Sequence, residues 1–111
     1  MAKLGNITFQ GTSGKNYRFS VYPFNTKFKE GIAAVYFITR RYELDDGSTG
    51  HEYLFVGGTG DIKAQLEDHP KTFGFNKYQA NSICLLIEED PEARKEIHSD
   101  LWKKYLPLIN E

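Results

Sequence analysis

Three histidines, one cysteine, seven tyrosines and a scatter of cations carry the chemistry this chain can offer. His51, His69 and His98 are too widely spaced to form a metal motif, which sets its ligands at short fixed intervals. Cys84 stands inside the apolar run Ile83–Ile87 with no second cysteine for a disulfide or a metal pair, so it reads as a buried structural thiol. No serine–histidine–acid or cysteine–histidine arrangement is recognisable. Gly57-Gly58-Thr59-Gly60 shares only its glycines with a phosphate loop: the lysine and spacing of a P-loop and the glycine pattern of a dinucleotide fingerprint are missing. It reads as a tight strand-to-helix turn, whose N–H groups can still face an anion. Arg40 and Arg41, with Lys15, Arg18 and the nearby Tyr17, Tyr22, Tyr36 and Tyr53, are the residues that would meet nucleic acid, cations on phosphate and rings under bases. Most of the rings are expected in the core.

These residues need elements to hold them. Ile7 and Phe9, then Tyr17, Phe19 and Val21, alternate with polar residues on either side of Gly11-Thr12-Ser13-Gly14, the pattern of a β-hairpin. Pro23 to Gly31 is expected as a loop anchored by Phe24 and Phe28. Ala33–Tyr42, rich in β-branched and aromatic residues, predicts a strand, with its partner at Glu52–Gly57 across an exposed connection at Asp45-Asp46-Gly47-Ser48-Thr49-Gly50. Ile62, Gln65, Leu66 and His69 have helical spacing and predict a helix over Asp61–Asp68, capped by Thr59 or Asp61. Pro70 to Ala80 reads as loop with one short helical turn, and Ser82–Ile87 as a buried strand. Asp90-Pro91-Glu92 opens a last helix, Pro91–Leu106, whose core stripe is Ile97, Leu101 and Tyr105. The fold class is therefore α+β: a small antiparallel sheet flanked by helices, in one domain over residues 1–111.

Charge and length narrow the function classes. A chain of 111 residues suits one core, burying roughly two thirds of its unfolded surface. The net charge of −1 gives no overall field to attract nucleic acid. Within residues 1–42, however, seven cations face Glu30 alone, a surplus of six, so the remainder carries −7. That split either sets a basic sheet face beside acidic helices or is dispersed by folding. No apolar run is long enough to cross a bilayer and no leader is recognisable after Lys3, so no membrane partner and a cytoplasmic location are expected.

The order strand, strand, helix, strand, helix is the point at which the chain resembles the GIY-YIG nuclease superfamily. Ala34-Val35-Tyr36 stands at the first namesake tripeptide and Phe55-Val56-Gly57 at the second. Gly57-Gly58-Thr59-Gly60-Asp61-Ile62 is similar to the segment after the second, Leu66 and His69 fall where the family has leucine and histidine, and Ser99-Asp100-Leu101 through Pro107 and Asn110 is similar to its last helix and terminal asparagine. The resemblance covers residues 31–110, with residues 1–30 as an N-terminal hairpin and loop extension. It implies a cleft where a tyrosine transfers a proton, an arginine stabilises phosphate charge and a glutamate holds a divalent metal, as phosphodiester hydrolysis requires.

Carried over, Tyr36 keeps the first tyrosine, whereas Phe55 lacks the second's hydroxyl. Tyr53, two residues earlier, is expected on the same strand face about 6.5 Å away. The arginine position, eight residues past Gly57, holds Gln65, and the glutamate position, twelve before Asn110, holds His98. Glutamine brings no charge, and histidine suits zinc better than magnesium. Asp100 should point away from His98, about 200° around the helix. Arg94 shares the face of His98 and either meets a ligand or, as expected, pairs with Asp90 or Glu89. The resemblance thus implies a catalytically degenerate module with Tyr36, Gln65 and His98 converging on a cleft bordered by Tyr53, Phe55, Gly57, Thr59, His69 and Asn110, binding DNA, RNA or a protein weakly and needing no cofactor. The alternatives are an active endonuclease using magnesium, manganese or zinc at His98, and a structural or interaction protein whose exposed hairpin is the functional surface.

Overall fold

The alternating residues on either side of Gly11–Gly14 form a hairpin in the computed structural model, which describes residues 3–109: β1 is Gly5–Gln10 and β2 is Asn16–Pro23. β3, Ala34–Glu43, pairs antiparallel with β4, Thr49–Thr59, in a second hairpin, and β4 is longer at both ends than its apolar pattern predicts, taking in Thr49 and Gly50 of the expected turn. Two short helices follow, α1 over Ile62–Glu67 and α2 over Thr72–Lys77. Asp61, not Thr59, caps α1, accepting from the Ala64 N–H. β5 is Ser82–Ile87, and α3 runs from Pro91 to Tyr105, with Asp90 as its cap and Leu106 ending it in the left-handed region. Among the described residues no helix is long and apolar enough to cross a membrane.

The five strands make one antiparallel sheet in the order β1-β2-β5-β3-β4. The N-terminal hairpin is therefore not an appendage: β2 pairs with β5 from Ser20↔Leu85 to Pro23↔Ser82, so hairpin and remainder share a sheet. β5 lies in the middle and is buried on both faces, which explains an apolar run without alternation.

Each face has its own core. Phe9, Phe19, Val21, Val35, Phe37, Val56 and Cys84 turn toward α3, where Leu101 is fully buried among them and Ile97, Trp102 and Tyr105 pack alongside. Ala34, Tyr36, Ile38, Ile83 and Leu85 turn the other way, toward Ile62 of α1 and Phe75 of α2, with Phe24 and Phe28 closing that side. The outer edge of β4 is covered in part by the C-terminal segment: Leu108 and Ile109 donate their N–H groups to the carbonyls of Tyr53 and Leu54. Covering an edge in this way removes a template for unwanted pairing.

The register of β3 and β4 breaks once, between Ile38 and Thr39, where Ile38 faces Phe55 and Thr39 faces Tyr53, leaving Leu54 as the extra residue of a β-bulge. A one-residue insertion reverses the side-chain alternation. Phe55 accordingly packs with Tyr36 on the α1/α2 face, whereas Tyr53 packs against Phe9, Phe37 and Tyr105 on the α3 face. The expectation that Tyr53 and Phe55 share a face is corrected by this bulge.

A single carboxylate ties the hairpin tip to α3. Asp100 accepts from Thr12 Oγ1 (2.7 Å), Ser13 N–H (2.8 Å), Ser13 Oγ (2.6 Å) and Tyr17 Oη (2.8 Å). It does point away from His98, and this is where it goes. The Ser13 and Thr12 hydroxyls hold its carboxyl well below the usual carboxylate range. The approach requires Gly11, since a Cβ there would lie 2.0 Å from Asp100 Oδ2. Gly11→Ala is expected to lower stability by about 1–3 kcal/mol, the usual range for forced overpacking, read as a lower urea midpoint at unchanged slope. An unshifted midpoint would show that the tip is free to move off the helix.

Candidate functional site

Tyr36 projects from the middle of β3 toward α1 and α2 and is 1% exposed. Its Oη lies 2.8 Å from Nε2 of His69, in the α1–α2 connection, and the Gln65 side chain on α1 is within hydrogen-bonding reach of the same hydroxyl. The rings of Phe55 and Phe75 each pack 4.8 Å from the His69 ring, and Phe55 lies 5.9 Å from Tyr36. Gly57, opposite Tyr36 in the ladder, must lack a side chain, because a Cβ would stand 2.8 Å from the tyrosine oxygen and 2.7 Å from the Phe55 ring. Four of the positions singled out in the sequence, Tyr36, Phe55, Gln65 and His69, thus form one contact cluster with Gly57 as its gap.

The direction of the hydrogen bonds follows from one backbone group. The Lys71 N–H, which can only donate, reaches His69 Nδ1 at 3.0 Å. Nδ1 is therefore bare, the neutral imidazole carries its proton on Nε2, and it donates that proton to Tyr36. Tyr36 receives a hydrogen bond from the histidine and keeps its own proton. Burial, opposed by Gln65, pushes the Tyr36 hydroxyl far above the ordinary tyrosine range, so it is protonated at neutral pH. Burial, and secondarily the charge of Lys71, lowers the His69 pKa below its ordinary value. A second proton on Nδ1 would also confront the Lys71 N–H. Neither Lys71 nor Phe75 carries a sequence signal for these roles, which depend on the turn made by Pro70.

His98 takes a different place. It sits on α3, the element packed on the other face of the sheet, and its Nε2 is 3.2 Å from the Val56 carbonyl of β4, to which the ring must donate. It lines a cavity of about 480 Å³ with Gly58, Thr59, Gly60, Pro91, Glu92, Arg94 and Lys95, in which Tyr36 and Gln65 have no part. Thr59 serves the turn, its Oγ1 accepting from the Asp61 N–H at 3.1 Å. Arg94 does not pair with Asp90 or Glu89 through their carboxylates: its Nη1 donates to the main-chain carbonyls of Glu88 and Glu89, each at 2.9 Å. Asn110 lies outside the described residues.

The donor set at His98 does not fit a divalent metal. One ring nitrogen already serves Val56, and the neighbouring side chains in the cavity are two cations and Glu92. No cluster of three histidine, cysteine, aspartate or glutamate residues occurs among the described residues, whereas a catalytic zinc takes three protein ligands and magnesium a shell of oxygens.

The basic pair on β3 is also divided. Arg40 forms an ion pair with Glu52 at 3.2 Å and lies over the Tyr42 ring at 5.1 Å. Arg41 borders a separate hollow with Leu4, Asn6, Val21 and Thr49. Successive strand residues point to opposite faces, so the two arginines do not add into one patch. No family model matches the chain, and neither does a curated protein or a solved structure.

Two outcomes follow from the buried cluster. Tyr36→Phe leaves the His69 Nε2–H without its acceptor, and the expected cost is about 1–3 kcal/mol, measured by urea unfolding; a neutral result would mean that the ring had turned to another partner. For His69, the folded pKa lies below the unfolded value of about 6.5. Below that pH the unfolded chain binds more protons, so stability must fall as pH drops through 6.5 toward the folded pKa. Burial lowers the His51 pKa too, so it contributes in the same direction. Replacing His69 by Asn should flatten part of the decline in unfolding midpoint between pH 7.5 and pH 5. An identical decline in variant and parent would contradict the assignment.

Proposed function

We propose that this chain is a non-catalytic module of the GIY-YIG type, a nuclease-like scaffold that binds nucleic acid or a protein without cleaving a phosphodiester bond. The closed state of the tyrosine at the first motif position carries this reading. A tyrosine that handles the proton of an attacking water needs access to that water and an affordable phenolate. Tyr36 has neither: its oxygen is enclosed by His69, Phe55 and Gly57, its proton is held tightly, and its histidine neighbour donates to it instead of accepting from it. The phosphate-binding arginine is replaced by Gln65, a neutral residue beside Tyr36, and the metal-binding glutamate by His98, on a helix packed against the opposite face.

The order of two adjacent antiparallel strands, two short helices, central strand and long helix supports the scaffold half of the reading. Any partner is held outside the closed cluster, and its contacts with nucleic acid are weak and salt-sensitive at a net charge of −1.

Incubation with labelled single-stranded and duplex DNA and RNA, in magnesium, manganese or zinc, is expected to give no cleavage above background, with Tyr36→Phe and His98→Ala indistinguishable from the parent. Loss of one preorganised donor costs on the order of 10²–10³ in rate, enough to hide residual activity. Metal-dependent cleavage that disappears in both variants would overturn the reading and restore an active endonuclease.

A further inference from the structure

The cavity on the α3 side carries a second site, and it stands independently of the module reading because it uses none of the Tyr36 cluster. We infer that Arg94, Lys95 and the Gly58–Gly60 segment at the end of β4 bind a phosphate monoester group.

The first observation is the state of Arg94. Its guanidinium is fixed by two neutral acceptors, the carbonyls of Glu88 and Glu89, both on Nη1. Among the described residues it has no carboxylate partner within 4.0 Å, the ion pairs there being Arg40–Glu52 and Lys63–Glu30. The side chain is thus oriented without being neutralised. A guanidinium held in place loses little freedom on meeting an oxyanion and offers it a planar fork of donors.

The second observation is the missing side chains opposite it. Arg94 Nη2 lies 4.0 Å from where a Cβ on Gly60 would stand, and Arg94 Cβ the same distance from a Cβ on Gly58. Neither glycine sets a side chain against Arg94, so the guanidinium stays open to the cavity of about 480 Å³ that both border. The ladder also orients Gly58. Val56 turns its carbonyl outward to His98, and backbone groups of alternate residues in an antiparallel strand face the same side. Gly58, two residues on and exposed, presents its N–H along the same outer edge of β4. Lys95 and His98 complete the wall.

The acidic surroundings define the ligand's size. Glu88 and Asp90 turn their carboxylates onto backbone N–H groups, of Asp90 at 3.2 Å and Glu92 at 3.0 Å. Glu92 lines the cavity, and Glu89 is exposed just before α3. An extended polyanion such as duplex DNA would meet those charges along its length, whereas a single terminal phosphate enters the cavity and meets Arg94 and Lys95 first. The chemistry is shared by a small phosphate ester and by the 5′-phosphate of a nucleic-acid strand.

The test is an NMR titration of the ¹⁵N-labelled chain with inorganic phosphate at constant ionic strength, against chloride alone. Saturable shifts of the Gly58 and Gly60 amides and of Arg94 Nε–H are expected, with affinity falling at least tenfold in Arg94→Gln. Gly60→Glu, which sets a carboxylate against Nη2 at a position without backbone strain, should abolish the shifts while leaving the rest of the spectrum in place, and it covers the case in which Arg94→Gln does not fold. Equal shifts in chloride, a linear response without saturation, or full binding in Gly60→Glu would overturn the site. Single-stranded oligonucleotides with and without a 5′-phosphate then identify the source: competition by the phosphorylated strand alone supports a nucleic-acid end, competition by neither supports a small ester, and equal competition by both overturns recognition of a monoester.

Discussion

Strand β5 is hydrogen-bonded along both edges, to β2 through Ser20↔Leu85 and to β3 through Tyr36↔Leu85, and among the described residues it is the strand that joins two hairpins into one sheet. Its apolar side chains divide between the two cores, Cys84 toward α3 and Ile83 and Leu85 toward the short helices. Removing this strand would separate β1–β2 from β3–β4 and open both cores at once. The chain reaches β5 only after four strands and two helices have been made, so the central pairing closes long loops whose entropy must be repaid by the burial on both faces.

Polar groups near this central strand are matched rather than exposed. Thr39 and Ser82, both fully buried, hydrogen-bond each other, and Thr39 also meets His51 Nδ1 at 2.9 Å. Just before β5, Asn81 uses its side chain as a backbone would, accepting from the Arg41 N–H and donating to the Arg41 carbonyl. Among the described residues no buried side-chain nitrogen or oxygen lacks a partner. The Tyr36–His69 pair belongs to this pattern: the Lys71 N–H donates to His69 Nδ1, and His69 Nε2–H donates to Tyr36.

The two faces therefore have different chemical characters. On the face of α1 and α2 the polar groups are enclosed by Phe55 and Phe75 and serve one another. On the α3 side, the backbone of Glu88 and Glu89 holds a guanidinium at the edge of an open cavity that Gly58 and Gly60 also line. Preorganisation is present in both, but only the second leaves a charge uncompensated by an ion pair among the described residues.

Much of this was legible locally. The strand pair at Ala33–Tyr42 and Glu52–Gly57, the buried strand Ser82–Ile87, the Asp90-Pro91 helix start and the hairpin around Gly11–Gly14 all follow from short-range periodicity and turn chemistry, which act within a few residues. His69 meets Tyr36 from the α1–α2 connection, past the end of α1, so helical spacing alone did not place it, and His98, expected in the same cleft, lies on the helix of the other face. What tertiary structure alone decided lies in contacts across the chain. The position of β5 between the hairpins, the Leu54 bulge that sends Tyr53 to the other face, the capture of Asp100 by Thr12 and Ser13, and the binding of Arg94 to two carbonyls instead of two carboxylates each depend on a partner whose distance and orientation no local pattern encodes. The sequence determined which residues would be strand, helix or turn, since those preferences are backbone and side-chain sterics. Whether a polar residue became a ligand, a cap or a cross-brace was set by what the folded sheet brought within about 3 Å of it.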